Sequence, residues 1–352
     1  MWRYGHLLEI VQIAKSAREE EVISDLSLTI GDKGVFGILS VDSTARTALA
    51  ELICGCENTD GGEIRINGEV MSRSALGLKR KVRLVPTCLE LDSAVTSVEH
   101  LDFVGAALGV DPDKRYRQIK EALELLGIED AQNKPFSLLN ASQRLRLAIA
   151  ASLIGNPEII VMDDPFRRVE GKAQEEIYGI VAMLGKIKTV VLLSHTPLEV
   201  KKLCENAAVM CGGRIALSGN IADIEAKINS TRELHISVRG DWDKIQPVIE
   251  ETDKVVSVKL VSTDKNNVNA IVVEHLPNNK MKDELFAALS QINAPMLSVK
   301  AVVLTFEDVF YSLTDKDKKR IDAARAAAEE KEAAKRAKRD KRDSKKAGGD
   351  KK

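Results

Sequence analysis

The chain has 352 residues, with 52 Lys and Arg against 53 Asp and Glu, and 44% of its residues are apolar. That apolar fraction suffices for a buried core and excludes a generally disordered chain, while the length suggests two domains. No apolar run approaches the about 20 residues of a membrane-spanning helix, and the first residues lack a signal-peptide layout. Five cysteines without zinc-ligand spacing indicate reduced thiols in a cytosolic protein.

The charge is distributed unevenly along the chain. Residues 314–352 contain 16 Lys and Arg against 9 Asp and Glu, so this tail carries +7 and residues 1–313 carry −8. The tail is rich in Ala, Glu, Lys and Arg and has almost no large apolar residue, so it lacks a stripe with which to pack. We expect a solvated tail, helical or disordered, with anionic lipid or RNA as its alternative partner.

The first 220 residues alternate strand-like and helix-like patterns. Short apolar runs at 7–13, 22–30 and 35–39 predict strands, and GGEIRINGE at 61–69 predicts a hairpin through its Asn-Gly pair. Helical periodicity prevails from about 88 to 147, and two strand-like runs at 159–162 and 189–193 flank a helix. This alternation predicts a parallel α/β sheet with a helical insertion.

A second unit is predicted to begin near Arg232. The pattern from there to Leu304 is strand, helix, strand, strand, helix, strand. The order βαββαβ is typical of a small ferredoxin-like α+β domain.

The loop after Leu39 has the shape of a phosphate-binding P-loop but not its residues. A working loop reads G-x-x-x-x-G-K-[ST], in which the glycines let backbone N–H groups close on the phosphates and the Lys bridges them. Here Ser40, Ser43 and Ala45 replace glycines and Arg46 replaces the Lys, whereas Thr47 retains a hydroxyl for Mg²⁺. The candidate nucleotide-binding residues are Asp42, Ser43, Thr44, Ala45, Arg46, Thr47 and Ala48.

Two other strands end in polar residues that fit the same site. The run IIVM ends in Asp163 and Asp164, and the run TVVLL ends in Ser194 and His195. The first carboxylate is placed to hold Mg²⁺, and the second to polarise an attacking water. His195 could contact a γ-phosphate from the neighbouring strand end.

These elements, in this order, resemble the nucleotide-binding subunit of an ABC transporter over residues 7 to about 312. Walker A corresponds to 37–48 and Walker B to 159–164, with Thr47 and Asp163 as Mg²⁺ ligands and Asp164 and His195 as catalytic residues. The segment LTFEDVF at 304–310 resembles the C-terminal part of bacterial export ATPases. The resemblance implies a P-loop ABC cassette over 1–228 with its helical subdomain at about 88–147. A small C-terminal domain at 231–312 and the charged tail at 313–352 would follow.

The same resemblance exposes several departures from the family pattern. The signature Leu-Ser-Gly-Gly-Gln falls on Leu139, Asn140, Ala141, Ser142 and Gln143. The Q-loop glutamine is Thr87, the adenine-stacking aromatic would fall near Ala17, and the D-loop reads Arg-Arg-Val-Glu at 167–170. Asp164 is one methylene shorter than the usual general-base Glu. The family implies ATP and Mg²⁺ as cofactors, and these losses imply that their binding is weak or lost.

In this family two subunits sandwich ATP between the Walker A of one and the signature of the other. Because both motifs are altered here, neither a homodimer nor a heterodimer with an intact partner restores a complete site. Three functions stay open. The first is an ATP-binding subunit that couples to a membrane permease at the inner face of the cell membrane and hydrolyses slowly. The second is a pseudo-ATPase with a regulatory or scaffolding role; the third, less favoured with a single cassette, is a soluble ABC protein acting on ribosomes or nucleic acid.

Overall fold

The structure is a computed structural model that describes residues 6–17, 20–228, 232–302, 304–319 and 321. The chain divides into two compact units. The first comprises the described residues up to Gly219 and those from Phe310 onward, and the second comprises Asn220–Val309.

The first unit is built on a six-stranded sheet. Its strands are β3 (Gly34–Leu39), β6 (Val82–Val85), β7 (Ile159–Asp163), β8 (Thr189–Ser194), β9 (Asn206–Cys211) and β10 (Arg214–Asn220). Their order in the sheet is β10-β9-β3-β8-β7-β6. β7 and β8 are buried at every position, as expected for parallel strands covered on both faces.

Parallel pairing brings the polar strand ends together at one edge of this sheet. β3 pairs with β8 so that Leu39 lies opposite Ser194, and β7 pairs with β8 so that Asp163 lies opposite Leu193. Ligands of open α/β sheets bind beyond this carboxyl edge. The candidate residues after β3, β7 and β8 therefore share one location.

A second, antiparallel sheet completes this unit. Its order is β2-β1-β4-β5, formed by β1 (His6–Ala17), β2 (Glu20–Gly31), β4 (Gly61–Ile66) and β5 (Glu69–Val70). The helix α1 (Ser43–Ile53) contributes Leu49 and Ile53 to a core that also contains residues of both sheets. This packing fixes the helix that follows the candidate phosphate loop.

Helices surround the sheets and form the insertion. They are α2 (Leu76–Lys81), α3 (Ser97–Ala107), α4 (Pro112–Leu126), α5 (Ala141–Leu153), α6 (Gly171–Gly185) and α7 (Pro197–Leu203), with 3₁₀ turns at Glu129–Ala131 and Phe136–Leu138. Capping boxes start α3 at Thr96 and α5 at Asn140, and Gly127 ends α4 with a positive φ of 60°. In the described part of the chain, no helix is both long and apolar enough to cross a membrane.

The second unit contains α8 (Ile221–Ile228) followed by four strands and two helices. These are β11 (Arg232–Arg239), α9 (Trp242–Glu250), β12 (Val255–Thr263), β13 (Val268–His275), α10 (Met281–Gln291) and β14 (Met296–Val302). The antiparallel sheet has the order β12-β13-β11-β14. Its core joins alternate residues of β11, such as Leu234 and Ile236, to Ile245 of α9 and Leu285 of α10.

Residues 306–319 form one more helix, called here the 306–319 helix. Its residues from 310 onward belong to the first unit. Phe310 and Thr314 are buried there, although the second of them already lies in the segment that carries the charged tail. The charged sequence therefore begins inside a packed helix.

Candidate functional site

The loop between β3 and α1 comprises only residues 40–42. The helix already begins at Ser43, with Asp42 as its N-cap, and none of residues 40–48, all described by the structure, has a positive φ. Asp42 Oδ1 accepts hydrogen bonds from the N–H groups of Thr44 (2.9 Å) and Ala45 (3.1 Å). A P-loop turns such N–H groups toward phosphate oxygens. Here a carboxylate of the chain itself already engages them.

Arg46 turns inward and does not point out of the loop. The whole residue is only 3% exposed; Nη1 donates to the Ser40 carbonyl, and Nη2 lies 3.1 Å from Asp164 Oδ2. A Lys at this position would be a compact point charge able to reach phosphates, whereas the planar guanidinium of Arg matches a carboxylate. At the position predicted for the phosphate-binding Lys, this chain therefore has a buried ion pair between Arg46 and Asp164.

Asp164 has a strained backbone conformation, and both oxygens of its carboxylate contact other side chains. Its φ is 46°, a value that non-glycine residues rarely adopt and that clusters at functional sites. Its Oδ1 lies 2.8 Å from His195 Nδ1, and its Oδ2 is paired with Arg46. Burial opposes ionisation of this carboxyl, but the His195 hydrogen bond and the Arg46 charge outweigh it and lower its pKa. The residue at the general-base position is thus an ionised carboxylate whose two oxygens are both engaged.

The residues that would hold Mg²⁺ form a well-suited oxygen cluster. The hydroxyls of Thr47 and Thr87 both donate to Asp163 Oδ2, at 2.7 and 3.1 Å. The other carboxylate oxygen, Asp163 Oδ1, is buried and has no hydrogen-bond partner in the described structure. Unpartnered buried carboxylate oxygens are costly, and Mg²⁺ prefers oxygen ligands that include a carboxylate. These residues therefore fit Mg²⁺, whereas the phosphate loop in this conformation does not fit a phosphate at its inner end.

The turn that bears His195 is fixed by a residue absent from the sequence prediction. Glu199, in the first turn of α7, is 6% exposed and accepts a 2.6 Å hydrogen bond from Ser194 Oγ. Ser194 Oγ in turn accepts from the Thr196 N–H at 2.9 Å. Desolvation raises the pKa of Glu199. The only sequence signal for this contact is an acidic residue four positions after His195, at the start of a helix.

The signature residues begin α5 and do not join the phosphate loop. Asn140 Oδ1 accepts from the Gln143 N–H at 2.9 Å, and Gln143 Oε1 accepts from the Asn140 N–H at 3.2 Å. Within the described residues, no hydrogen bond connects 139–143 to 40–48. The residues predicted as the signature thus cap α5, and the Gln143 amide oxygen is engaged locally.

The remaining predicted positions lie apart from this cluster or at its margin. Ala17 is the last residue of β1. In the segment predicted as the D-loop, Arg168 Nη1 donates to Cys88 Sγ at 3.2 Å, beside Thr87. Ala48 lies on the second turn of α1 and is partly buried.

Comparison with known proteins shows what this chain is similar to. The sequence model described as ABC transporter matches residues 23–167. The human protein named ATP-binding cassette sub-family A member 2 is 26% identical over 90% of this chain, which spans 13% of the human protein's length. The Bacillus subtilis linearmycin resistance ATP-binding protein LnrL is 22% identical over 88% of the chain and 99% of its own length. A Cupriavidus pinatubonensis Nod factor export ATP-binding protein I is 26% identical over 62% of the chain and 67% of its own length.

Solved structures show the same fold at low sequence identity. The protein cbiO1 of Clostridium perfringens, described as part of an ABC transporter complex, aligns with a TM-score of 0.55 at 21% identity, covering 64% of this chain and 95% of its own. A dimeric ATP-binding cassette bound to ADP and Pi aligns with a TM-score of 0.55 at 20% identity, covering 60% and 98%. The predicted ABC cassette fold is thereby confirmed.

Proposed function

We propose that this chain, whose residues 23–167 match the sequence model described as ABC transporter, is the ATP-binding subunit of an ABC-type export complex. Members of this family bind ATP together with Mg²⁺. The observation that supports the proposal is the buried Asp163 carboxylate at the end of β7, flanked by the hydroxyls of Thr47 and Thr87. When bound, Mg²⁺ would neutralise phosphate charge, and Thr47, Thr87 and Asp163 would hold it.

Asp163→Ala is expected to abolish binding of Mg-ATP. The substitution removes the only carboxylate of the proposed metal site. Asp163→Asn keeps the shape of the side chain but removes its charge, so this variant should also fail to bind Mg-ATP. Calorimetric titration of the full chain with Mg-ATP at millimolar concentrations would measure both. Asp253→Ala, a change at an exposed position of the second unit, serves as the matched control. An unaltered chain that binds no Mg-ATP, alone or with its partner, would overturn the proposal.

The export assignment rests on the segment 304–310 and on the names of some relatives. LnrL is named for resistance and the Nod factor protein for export, whereas the similar MetN proteins of Enterococcus faecalis and Listeria monocytogenes are named for import. We favour export over import because segment 304–310 resembles the C-terminal part of export ATPases. The protein would act in the cytoplasm at the inner face of the cell membrane, as a homodimer or as a heterodimer with a second ABC ATPase.

The helical insertion offers a surface for the membrane partner. A cavity of about 780 Å³ lies between α3 and α4, lined by apolar residues that include Val98, Ile119 and Leu123. At its rim, the side chains of Phe103 and Tyr116 are 70% and 72% exposed. Exposed aromatic residues beside an apolar groove are typical of protein-interaction sites. We assign this groove to the permease.

Phe103→Glu is expected to weaken assembly with the permease at least tenfold while leaving the stability of the isolated chain unchanged. The reason is that the substitution places a charge in the groove but removes little buried area from the fold. A neighbouring reading frame should encode the multi-span membrane protein with which co-purification and affinity would be measured. Phe286→Glu makes the same change at an exposed position of α10; equal effects of both variants would refute the groove as the docking site.

A catalytically inactive regulatory or scaffolding subunit is the second candidate. The geometry that favours it is the inward Arg46, which occupies Asp164 on one side while His195 occupies it on the other. Any hydrolysis should therefore be slow. Nucleotide binding without measurable turnover in the assembled complex would favour this alternative over an active ATPase.

A further inference from the structure

The 306–319 helix is fixed to the cassette by its residues from 310 onward. Phe310 is completely buried and Thr314 is 1% exposed. The Asp317 carboxylate accepts from the Gly212 N–H at 2.5 Å, and the Leu313 carbonyl accepts from Cys211 Sγ at 3.1 Å. These contacts attach the helix to the turn between β9 and β10, so its position relative to the sheet edge is defined.

One face of this helix forms a wall of the cavity above the phosphate loop. The cavity has a volume of about 670 Å³ and is lined on the cassette side by residues that include Ser43, Arg46 and His195. On the helix side it is lined by Tyr311, Thr314, Asp315 and Lys318, whose spacing of three and four places them on one helix face. Such a volume suits a ligand of nucleotide size, since small-molecule sites typically measure about 300–1,000 Å³.

The charges around this cavity favour an anion. Both carboxylates on its wall are compensated: Asp164 by Arg46, and Asp315 by Lys319 at 2.7 Å. Two further cations, Arg167 and Lys318, line the cavity, and the described residues include no carboxylate within ion-pair distance of either. The charged side chains on the lining, three cations and two carboxylates, thus sum to a net positive charge, which attracts an anionic ligand.

The inner end of the site cannot hold that anion in this conformation. The N–H groups of Thr44 and Ala45 are engaged by Asp42, and the Arg46 guanidinium is committed to Ser40 and Asp164. A polyphosphate that enters the cavity would thus meet the outer cations before any donor of the loop.

We infer that the 306–319 helix completes the nucleotide site within the same chain, with Lys318 and Arg167 holding the phosphates of a nucleoside triphosphate at the outer rim of the cavity. This inference rests on the proposed ATP-binding function and adds residues that no partner signature supplies. The inference explains how this chain could bind a nucleotide although both its Walker A segment and its signature segment differ from the family pattern.

The test is calorimetric titration of the full chain with Mg-ATP and, separately, with inorganic triphosphate. Lys318→Glu should weaken the affinity for both by roughly tenfold or more, because a charge-assisted contact is replaced by repulsion. Lys316→Glu makes the same charge change on the same helix at an exposed position that does not line the cavity, and should change affinity less than about twofold. Loss of ATP affinity with unchanged triphosphate affinity would contradict a phosphate contact.

A second variant tests whether the 306–319 helix contributes to ATP binding or blocks it. Asp317→Ala removes the bond to Gly212 and loosens the helix from the cassette. If the helix contributes to the site, this variant binds ATP more weakly; if it blocks the site, the variant binds more tightly and the inference is overturned. ATP binding that is equal in Lys318→Glu and Lys316→Glu would refute the inference alone, whereas no ATP binding by the unaltered chain would refute the proposed function as well.

Discussion

Replacing Arg46 with alanine is expected to lower the free energy of unfolding by about 3–5 kcal/mol, the cost of breaking a buried ion pair by removing one partner. The exposed fractions of the two side chains are 4% for Arg46 and 2% for Asp164, so the remaining carboxylate would be left buried with His195 alone. Urea denaturation followed by circular dichroism would measure the change.

The double variant Arg46→Ala/Asp164→Ala provides the control for this prediction. If the loss arises from the uncompensated carboxylate, removing Asp164 as well should recover much of the stability, and the two single changes will not add. A loss below about 1 kcal/mol for Arg46→Ala, within the range of exposed pairs, would mean that the pair is not buried in solution.

Restoring the P-loop residues should raise the affinity for Mg-ATP by about ten- to a hundredfold, the equivalent of one or two charge-assisted hydrogen bonds. The variant combines Ser43→Gly, Ala45→Gly and Arg46→Lys. The glycines would let the first turn of α1 open into a loop, and the Lys could reach the phosphates instead of Asp164. Calorimetric titration would measure the affinity.

The matched control keeps Arg46 and introduces only the two glycines. It should bind scarcely better than the unaltered chain, because the guanidinium still closes the inner end of the site. Two glycines within a helix cost about 1 kcal/mol each, so both variants should also be less stable. An affinity that stays unchanged in the triple variant would show that the loop is not a damaged phosphate cradle.

The triple variant also connects to the inferred role of the helix. Once phosphates are held at the inner end, the contribution of Lys318 at the outer rim should shrink. The loss of affinity caused by Lys318→Glu should therefore be smaller in the triple variant than in the natural chain. Such a difference would show that the phosphates lie at the outer rim in the natural chain and at the inner end in the triple variant.

Much of the fold follows from local patterns in the sequence. The apolar runs ahead of Asp163 and Ser194 indicate buried parallel strands, and the family motifs indicate the cassette, as the structural relatives confirm. The domain boundaries at 228 and 312 and the roles of the site residues stay predictions. The helix cap at Asn140 is also readable locally, because Gln143 lies at the position of a capping box.

The sequence by itself determined which groups are present at the strand ends and which are missing: the absent glycines, the Arg in place of Lys, and the retained Thr47 and Asp163. Only the tertiary structure decided where these groups point. The Arg46–Asp164 pair joins residues 118 apart and the Asp317–Gly212 bond joins residues 105 apart. Local periodicity encodes which residues are helical or buried, but not which distant partner satisfies a buried charge or what covers a cavity, because those choices depend on the packing of the whole unit.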